Sequence, residues 1–191
     1  MAEARKPPRV KGAILGARLT FVRDRGGAAA LEKVLARLPA ADREILSGWV
    51  LPISWYPLEL ALRLDDAIAA VLSPGDRGRI FLEMGRESAQ ANLTGAQAPF
   101  LKAGDPHFFL ANVPRMYATY HSQGRRSYTK TGARSAIVKT FDAERVSADD
   151  CLTVVGWLER ALHLSGAKAP RVSEARCRSL GAPHCEYRCE W

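Results

Sequence analysis

Apolar positions recur at three- and four-residue spacing through most of the chain and switch to a two-residue alternation near its end, which predicts helices first and strands later. Ala13 to Arg25 and Ala28 to Leu38 read as helices parted at Gly26-Gly27, the second with Leu31, Val34, Leu35 and Leu38 as its buried stripe. Trp49 to Tyr56, with Pro52 inside it, reads as an irregular apolar connection, and Pro57 offers a favourable first helical position. In the next helix Leu58, Ala61, Leu62, Leu64, Ile68, Val71 and Leu72 line one side and Arg63 and Asp66 the other, until Ser73-Pro74-Gly75 closes it. Arg79 to Leu93 follows, with Phe81, Met84 and Ala91 inward. Asp105-Pro106 opens a helix carrying Phe109, Val113, Met116, Tyr117 and Tyr120, which Pro114 is expected to kink or interrupt. Two strands, Arg126 to Lys130 and Ser135 to Phe141, flank a turn at Thr131-Gly132-Ala133.

The stretch from Ser147 to Trp191 is the most regular and holds all four cysteines. Ser147 is a capping hydroxyl, and Asp149 and Asp150 sit where the positive end of a helix dipole favours acids, so a helix is predicted to about Leu164. Its buried face carries Cys151, Val154, Val155, Leu158, Ala161 and Leu162. After Gly166, Arg171 to Arg178 and His184 to Trp191 read as a hairpin turning at Leu180-Gly181-Ala182-Pro183. Cys185, Tyr187, Cys189 and Trp191 then share one face of the last strand, with Glu186, Arg188 and Glu190 on the other. The predicted architecture is α+β, with helices on one face of a four-stranded antiparallel sheet and one helix between two hairpins.

Two thiols facing each other on a hairpin, a third at a helix N-terminus and a nearby carboxylate suit a closed, tetrahedral and hence structural zinc site; the candidate ligands are Cys151, Glu174, Cys177 and Cys185. The helix dipole would help to deprotonate Cys151, and Arg176, Arg178 and Arg188 would offset the negative charge. A geometric difficulty stands against the set. Glu174 and Cys177 are three apart and point to opposite faces of a regular strand, so both can reach one ion only across a bulge. Cys189 or His184 is the substitute fourth ligand, although Cys185 and Cys189 lie roughly 13 Å apart on a straight strand. Four reduced, buried thiols acting as small hydrophobes are the competing interpretation, since no CxxC pair is present.

Asp150-Cys151 through Gly156, then Glu174-Ala175-Arg176-Cys177, Gly181, His184 and Cys185, resembles the C-terminal half of the 4-vinyl-reductase domain, a ligand-sensing module of bacterial transcription activators also found in bacteriochlorophyll biosynthesis proteins. That resemblance implies structural zinc at the matching Cys151, Glu174, Cys177 and Cys185, and a homodimer. At the other end, Val10-Lys11-Gly12-Ala13-Ile14-Leu15-Gly16 and Phe21-Val22-Arg23-Asp24-Arg25-Gly26 are similar to the opening of heme-nitric-oxide-binding (H-NOX) domains and of an H-NOX-like family abundant in myxobacteria. Both resemblances point to one superfamily, and together they cover about half the chain. Heme is nevertheless not expected. None of His107, His121, His163 and His184 lies in a context matching the H-NOX proximal histidine, and the Tyr-x-Ser-x-Arg motif that holds the propionates is missing.

Composition alters this picture little. A chain of 191 residues suffices for one domain, read as 10–191 behind a disordered polar tail over 1–9. No apolar run is long enough to cross a bilayer and no signal peptide is evident, so a cytoplasmic protein without membrane insertion is expected. The net charge of +8 gathers in the tail (Arg5, Lys6, Arg9, Lys11) and the central hairpin (Arg125, Arg126, Lys130, Arg134, Lys139). Without a recognition-helix pattern these cations are read as keeping a sheet edge soluble rather than as binding nucleic acid. Phosphate-loop, nucleophile-elbow and zinc-protease motifs are all missing, and the Asp65-Asp66 and Asp149-Asp150 pairs are read as solvated or dipole-complementing helix residues. The expectation is therefore a non-catalytic sensory or scaffold module. It binds a small hydrophobic ligand, with Trp157, Phe109 and Tyr117 as candidate contacts, or a partner protein; an accessory role in tetrapyrrole metabolism and a basic nucleic-acid-binding module are the alternatives.

Overall fold

The computed structural model describes residues 6–95, 97–143 and 147–191. Residues 1–5, including Arg5 of the basic tail, lie outside the described residues. The elements, in chain order, are β1 (Arg9–Lys11), α1 (Gly12–Ala36), α2 (Ala40–Ser47), β2 (Trp55–Pro57), α3 (Leu58–Leu72), α4 (Arg77–Leu93), α5 (Pro106–Tyr120), β3 (Arg125–Gly132), β4 (Ser135–Phe141), α6 (Ala148–Leu164), β5 (Arg171–Arg176) and β6 (Cys185–Glu190), with 3-10 turns at Ala98–Phe100 and Arg178–Leu180. The larger sheet is antiparallel throughout, in the order β3-β4-β6-β5, and β1 and β2 form a separate antiparallel pair. The predicted α+β architecture is thus present. Among the described residues no helix is long and apolar enough to cross a membrane.

Several elements depart from the sequence pattern for identifiable reasons. Gly27 adopts φ 67 and ψ −168 inside α1, so the break expected at Gly26-Gly27 is a kink within a longer helix. α5 runs through Pro114, because Phe109, Leu110, Val113, Met116 and Tyr117 are all buried along it and their packing outweighs one lost backbone bond. In α4 the inward positions near the C-terminus are Ala89 and Leu93, whereas Ala91 is exposed. Pro57 precedes the first helical residue of α3 instead of occupying it. The short helix α2 and the β1–β2 pair were not expected; three-residue strands and two-turn helices carry too little periodicity to be read.

The core falls into two clusters. The first joins α1, α3 and the start of α4 through Leu15, Leu19, Val22, Leu64, Ile68, Phe81 and Met84. The second joins the end of α4, α5, α6 and the sheet through Leu93, Phe109, Val113, Val138, Leu158 and Tyr187. α4 belongs to both, and it crosses α6 at backbone distance. A Cβ on Gly85 would stand 2.1 Å from the Thr153 carbonyl oxygen, and one on Gly156 would stand 2.1 Å from that of Leu82. Two glycines far apart in sequence therefore set the joint between the halves.

Candidate metal centre and adjoining cavity

α6 begins as its sequence predicts. Ser147 Oγ accepts from the Asp150 N–H at 3.0 Å, and the Asp150 carboxylate accepts from the Ser147 N–H at 3.0 Å. This reciprocal cap fixes the first turn and so fixes Cys151 immediately after it. The β5–β6 hairpin approaches that turn from the sheet. Its register shifts between Glu174 and Arg176, so a bulge at the intervening residue turns Glu174 toward the side on which Cys177 lies. The face conflict between these two residues is thereby removed by a local irregularity of the kind it required.

Cys151 Sγ lies 3.6 Å from Cys177 Sγ and 3.6 Å from Cys185 Sγ, and one ligand atom from each of Cys151, Glu174, Cys177 and Cys185 falls within 4.8 Å of the others. A sulfur separation of 3.6 Å is far beyond a disulfide bond of about 2.05 Å. It is close to the roughly 3.8 Å edge of a tetrahedron with zinc–sulfur bonds of about 2.3 Å. All three thiols are buried, and one Glu174 carboxylate oxygen is buried without a hydrogen-bond partner among the described residues. An orphaned carboxylate oxygen among three thiols is costly unless a cation meets it.

The substitute ligands lie elsewhere. Cys189 pairs with Ala136 and Val172 in register and is buried in the second core, which pushes its thiol up to about 12. His184 points its Nε2 toward the Glu186 carboxylate at 3.5 Å and packs on Phe141. Glu186 itself is buried, against the simple alternation of β6, because Lys139 reaches it at 3.2 Å. Within the cluster the Cys185 thiol is lowered, first by its hydrogen bond with Cys151 and further by the Arg178 N–H at 3.4 Å. Cys151 is raised in turn by that same hydrogen bond and by burial. Burial and that bond thus act on Cys151 against the effect expected from its place at the helix N-terminus.

Cys151 and Cys185 also form part of the wall of a cavity of about 230 Å³ between the two halves, together with Ile14, Leu58, Val113, Met116, Val154 and Tyr187. Trp157 and Tyr117 line it. Phe109 is fully buried behind Trp157, their ring centroids 5.5 Å apart, and does not line the cavity. Two features of the wall had no signal in the sequence. Arg18 and Asp65 form a buried ion pair at 2.7 Å, so Asp65 is a core residue and not the solvated helix acid its position in an acidic pair suggested. Its carboxyl is raised, because burial outweighs the guanidinium.

His121 is the second such feature. It stacks on Tyr117 with centroids 4.3 Å apart, and burial, then the charge of Arg126, pushes its pKa down to about 3. The imidazole on the cavity wall is therefore neutral. Arg126 lies over the Tyr117 ring at 4.8 Å and donates to Thr140, with no carboxylate partner among the described residues. The remaining histidines are outside the cavity lining. His107 is pinned by Tyr128 and by the carbonyls of the β3–β4 turn, and His163 is exposed.

A model of the family described as "Protein of unknown function (DUF2378)" matches residues 27–191. No curated protein matches the chain. Among solved structures it is similar to the Fe(II) unliganded H-NOX protein from K. algicida, with 13% identity, coverage of 94% of this chain and 95% of that one, and a TM-score of 0.69. It is also similar to an oxygen-binding H-NOX domain related to soluble guanylate cyclases, at 12% identity, 94% of each chain and a TM-score of 0.71. The H-NOX protein from S. oneidensis in its Fe(II)NO state matches at 15% identity over 94% of this chain and 98% of that one, with a TM-score of 0.69. At these identities the likeness shows an H-NOX-like fold, which the residues at the N-terminus had suggested. The sequence-based argument against heme is left without support, since the fold is shared and a histidine does line the cavity.

Proposed function

The chain belongs to the DUF2378 family, and we propose that it is a sensory or scaffold module whose cavity takes a small hydrophobic ligand beside a structural zinc centre. The observation that carries this reading is the shared wall: Cys151 and Cys185 belong both to the thiol–carboxylate cluster and to the cavity lining. A closed four-ligand ion there would hold the first turn of α6 against the β5–β6 hairpin and fix that side of the cavity. The resemblance of the C-terminal half to the 4-vinyl-reductase domain supports the same ligand set. No catalytic group is assigned: of the ionisable side chains of the wall, Arg18, Asp65 and Asp150 are paired or capping and His121 is neutral, while Arg9 and Arg126 are cations bound to a carbonyl and a hydroxyl. A homodimer rests on the resemblance alone.

Metal analysis of the purified protein tests the zinc centre. About one zinc per chain is expected, lost in Cys177→Ser and Cys185→Ser together with folding cooperativity. Protein that contains no metal, titrates four free thiols in the native state and unfolds identically with a chelator would leave only a reduced core.

Heme is a second reading, favoured by one observation: an uncharged imidazole, His121, faces the cavity near Arg126, which has no carboxylate partner among the described residues. His121 would hold the iron and Arg126 a carboxylate, and the bound group would supply a site for a diatomic ligand. Addition of hemin should then give a Soret band that His121→Ala abolishes. A protein that stays colourless removes this reading and the accessory role in tetrapyrrole metabolism with it, while the zinc result stands apart.

A further inference from the structure

The segment between α2 and β2, read from sequence as an apolar connection, packs Val50 against the first core but leaves its larger apolar side chains outside it. Trp49 is 88% exposed, Ile53 82% and Leu51 48%, and Ile45 on the last turn of α2 is exposed beside them. Such side chains collected in one short loop are uncommon on a monomer surface without a function.

The loop is held rather than loose. The first backbone N–H groups of α1 need acceptors, and the loop supplies them: Gly12 donates to the Ser54 carbonyl at 2.9 Å and Ala13 to that of Pro52 at 3.0 Å. The Tyr56 hydroxyl accepts from the Leu51 N–H at 3.0 Å. Gly12 is required here, because a Cβ on it would stand 2.2 Å from the Leu51 carbonyl oxygen. The backbone is thus fastened inward while its large apolar side chains point outward.

Cations do part of this fastening. Lys11 Nζ donates to the Ile53 carbonyl at 2.6 Å and lies 4.1 Å from the Trp55 ring centroid, and Arg9 donates to the Trp55 carbonyl at 2.7 Å. Neither has a carboxylate partner among the described residues, and Arg43 is exposed on α2. The nearby acids Asp42 and Glu59 are both bound by Arg63, which leaves Glu44 as the exposed carboxylate of α2.

We propose that the Trp49–Ile53 loop docks this protein on the surface of an anionic lipid bilayer, its apolar side chains entering the interfacial layer and Arg9, Lys11 and Arg43 facing the headgroup phosphates. A tryptophan and two aliphatic residues beside uncompensated cations match the chemistry of that layer. One protruding loop is also small beside the roughly 800 Å² that each partner contributes to a stable protein interface. Docking of this kind is peripheral and needs no spanning helix.

Sedimentation with vesicles tests it, comparing phosphatidylcholine alone with vesicles containing about one third phosphatidylserine. The full chain should bind the anionic vesicles at least about tenfold better and lose most of that binding in high salt. Trp49→Ser/Ile53→Ser touches neither core, so its circular dichroism should match the parent while its binding falls at least about tenfold. Equal binding by parent and variant, or none to anionic vesicles at low salt, overturns the proposal. Concentration-dependent self-association that the variant loses, without vesicle binding, assigns the loop to a second copy of the chain and likewise overturns it.

Discussion

Each half of the molecule buries a set of ionisable groups beside the cavity, and the two sets are built differently. In the N-terminal half Arg18 and Asp65 meet at 2.7 Å, so the cation is part of the chain. In the C-terminal half Cys151, Cys177, Cys185 and Glu174 converge with no cationic side chain among them, and a Glu174 oxygen has no hydrogen-bond partner among the described residues. The first set is electrically complete as folded. The second consists of groups that could hold a metal ion, which is why an ion is proposed there and not in the other half. The comparison teaches that burial of charge marks a ligand site only when the complement is absent.

The largest effect should come from breaking the joint that keeps the two halves in register. Gly156→Val places a branched side chain where the Leu82 carbonyl already stands, and it is expected to cost about 5 kcal/mol or more, removing the cooperative transition in urea. Gly156→Ala should cost less, and the difference measures how far α4 and α6 can separate. A stable Gly156→Val protein would show that the halves do not depend on this crossing.

Next is the complete pair. Arg18→Met strands the Asp65 carboxylate in the first core and should destabilise by about 3–5 kcal/mol, while Arg18→Met/Asp65→Leu should recover most of the loss. Urea midpoints of the two variants decide it. If the double variant is no more stable than the single one, the deficit comes from packing around the arginine stem, and the proposed contrast with the thiol cluster loses its electrostatic basis.

The mildest effect at neutral pH concerns His121. Its ring takes a proton near pH 3 when folded but near 6.5 when unfolded, so unfolding takes up a proton between those values. The stability contributed by the neutral ring is present above about pH 6.5 and lost as the pH falls toward 3, at up to about 1.4 kcal/mol per unit. His121→Gln should flatten that slope relative to the parent when urea midpoints are followed from about pH 7 to about pH 4. Parallel profiles would mean that the ring is hydrated in the folded state and that the cavity wall is open at that point.

Much of the C-terminal half could be read in advance because its signals are local. Ser147 with Asp150 announces a capped helix, the alternation through Cys185, Tyr187 and Cys189 announces a strand with one buried face, and Gly181 announces the turn between. The meeting of Cys151 with Cys177 and Cys185 followed from those elements. The bulge that brings Glu174 to them did not, because one extra residue in a strand leaves no periodic trace. In the N-terminal half the helices were legible, yet the roles of single residues were misread. Asp65 looked like a surface acid and proved to be a core ion, and Trp49, read only as part of an apolar connection, proved to be the most exposed of the large apolar residues. His121, in a loop-adjacent position, carried no motif at all.

The sequence by itself determined the longer helices and the strands of the larger sheet, most of their apolar faces, and which thiols could meet, since these depend on residue types a few positions apart. Tertiary structure alone decided that Arg18 finds Asp65, that Gly85 and Gly156 let two helices touch, that His121 stays neutral, and that a greasy loop is turned outward. Those outcomes depend on pairs 47 and 71 positions apart, or on what is packed overhead, and neither distance in space nor depth of burial is written in a local pattern.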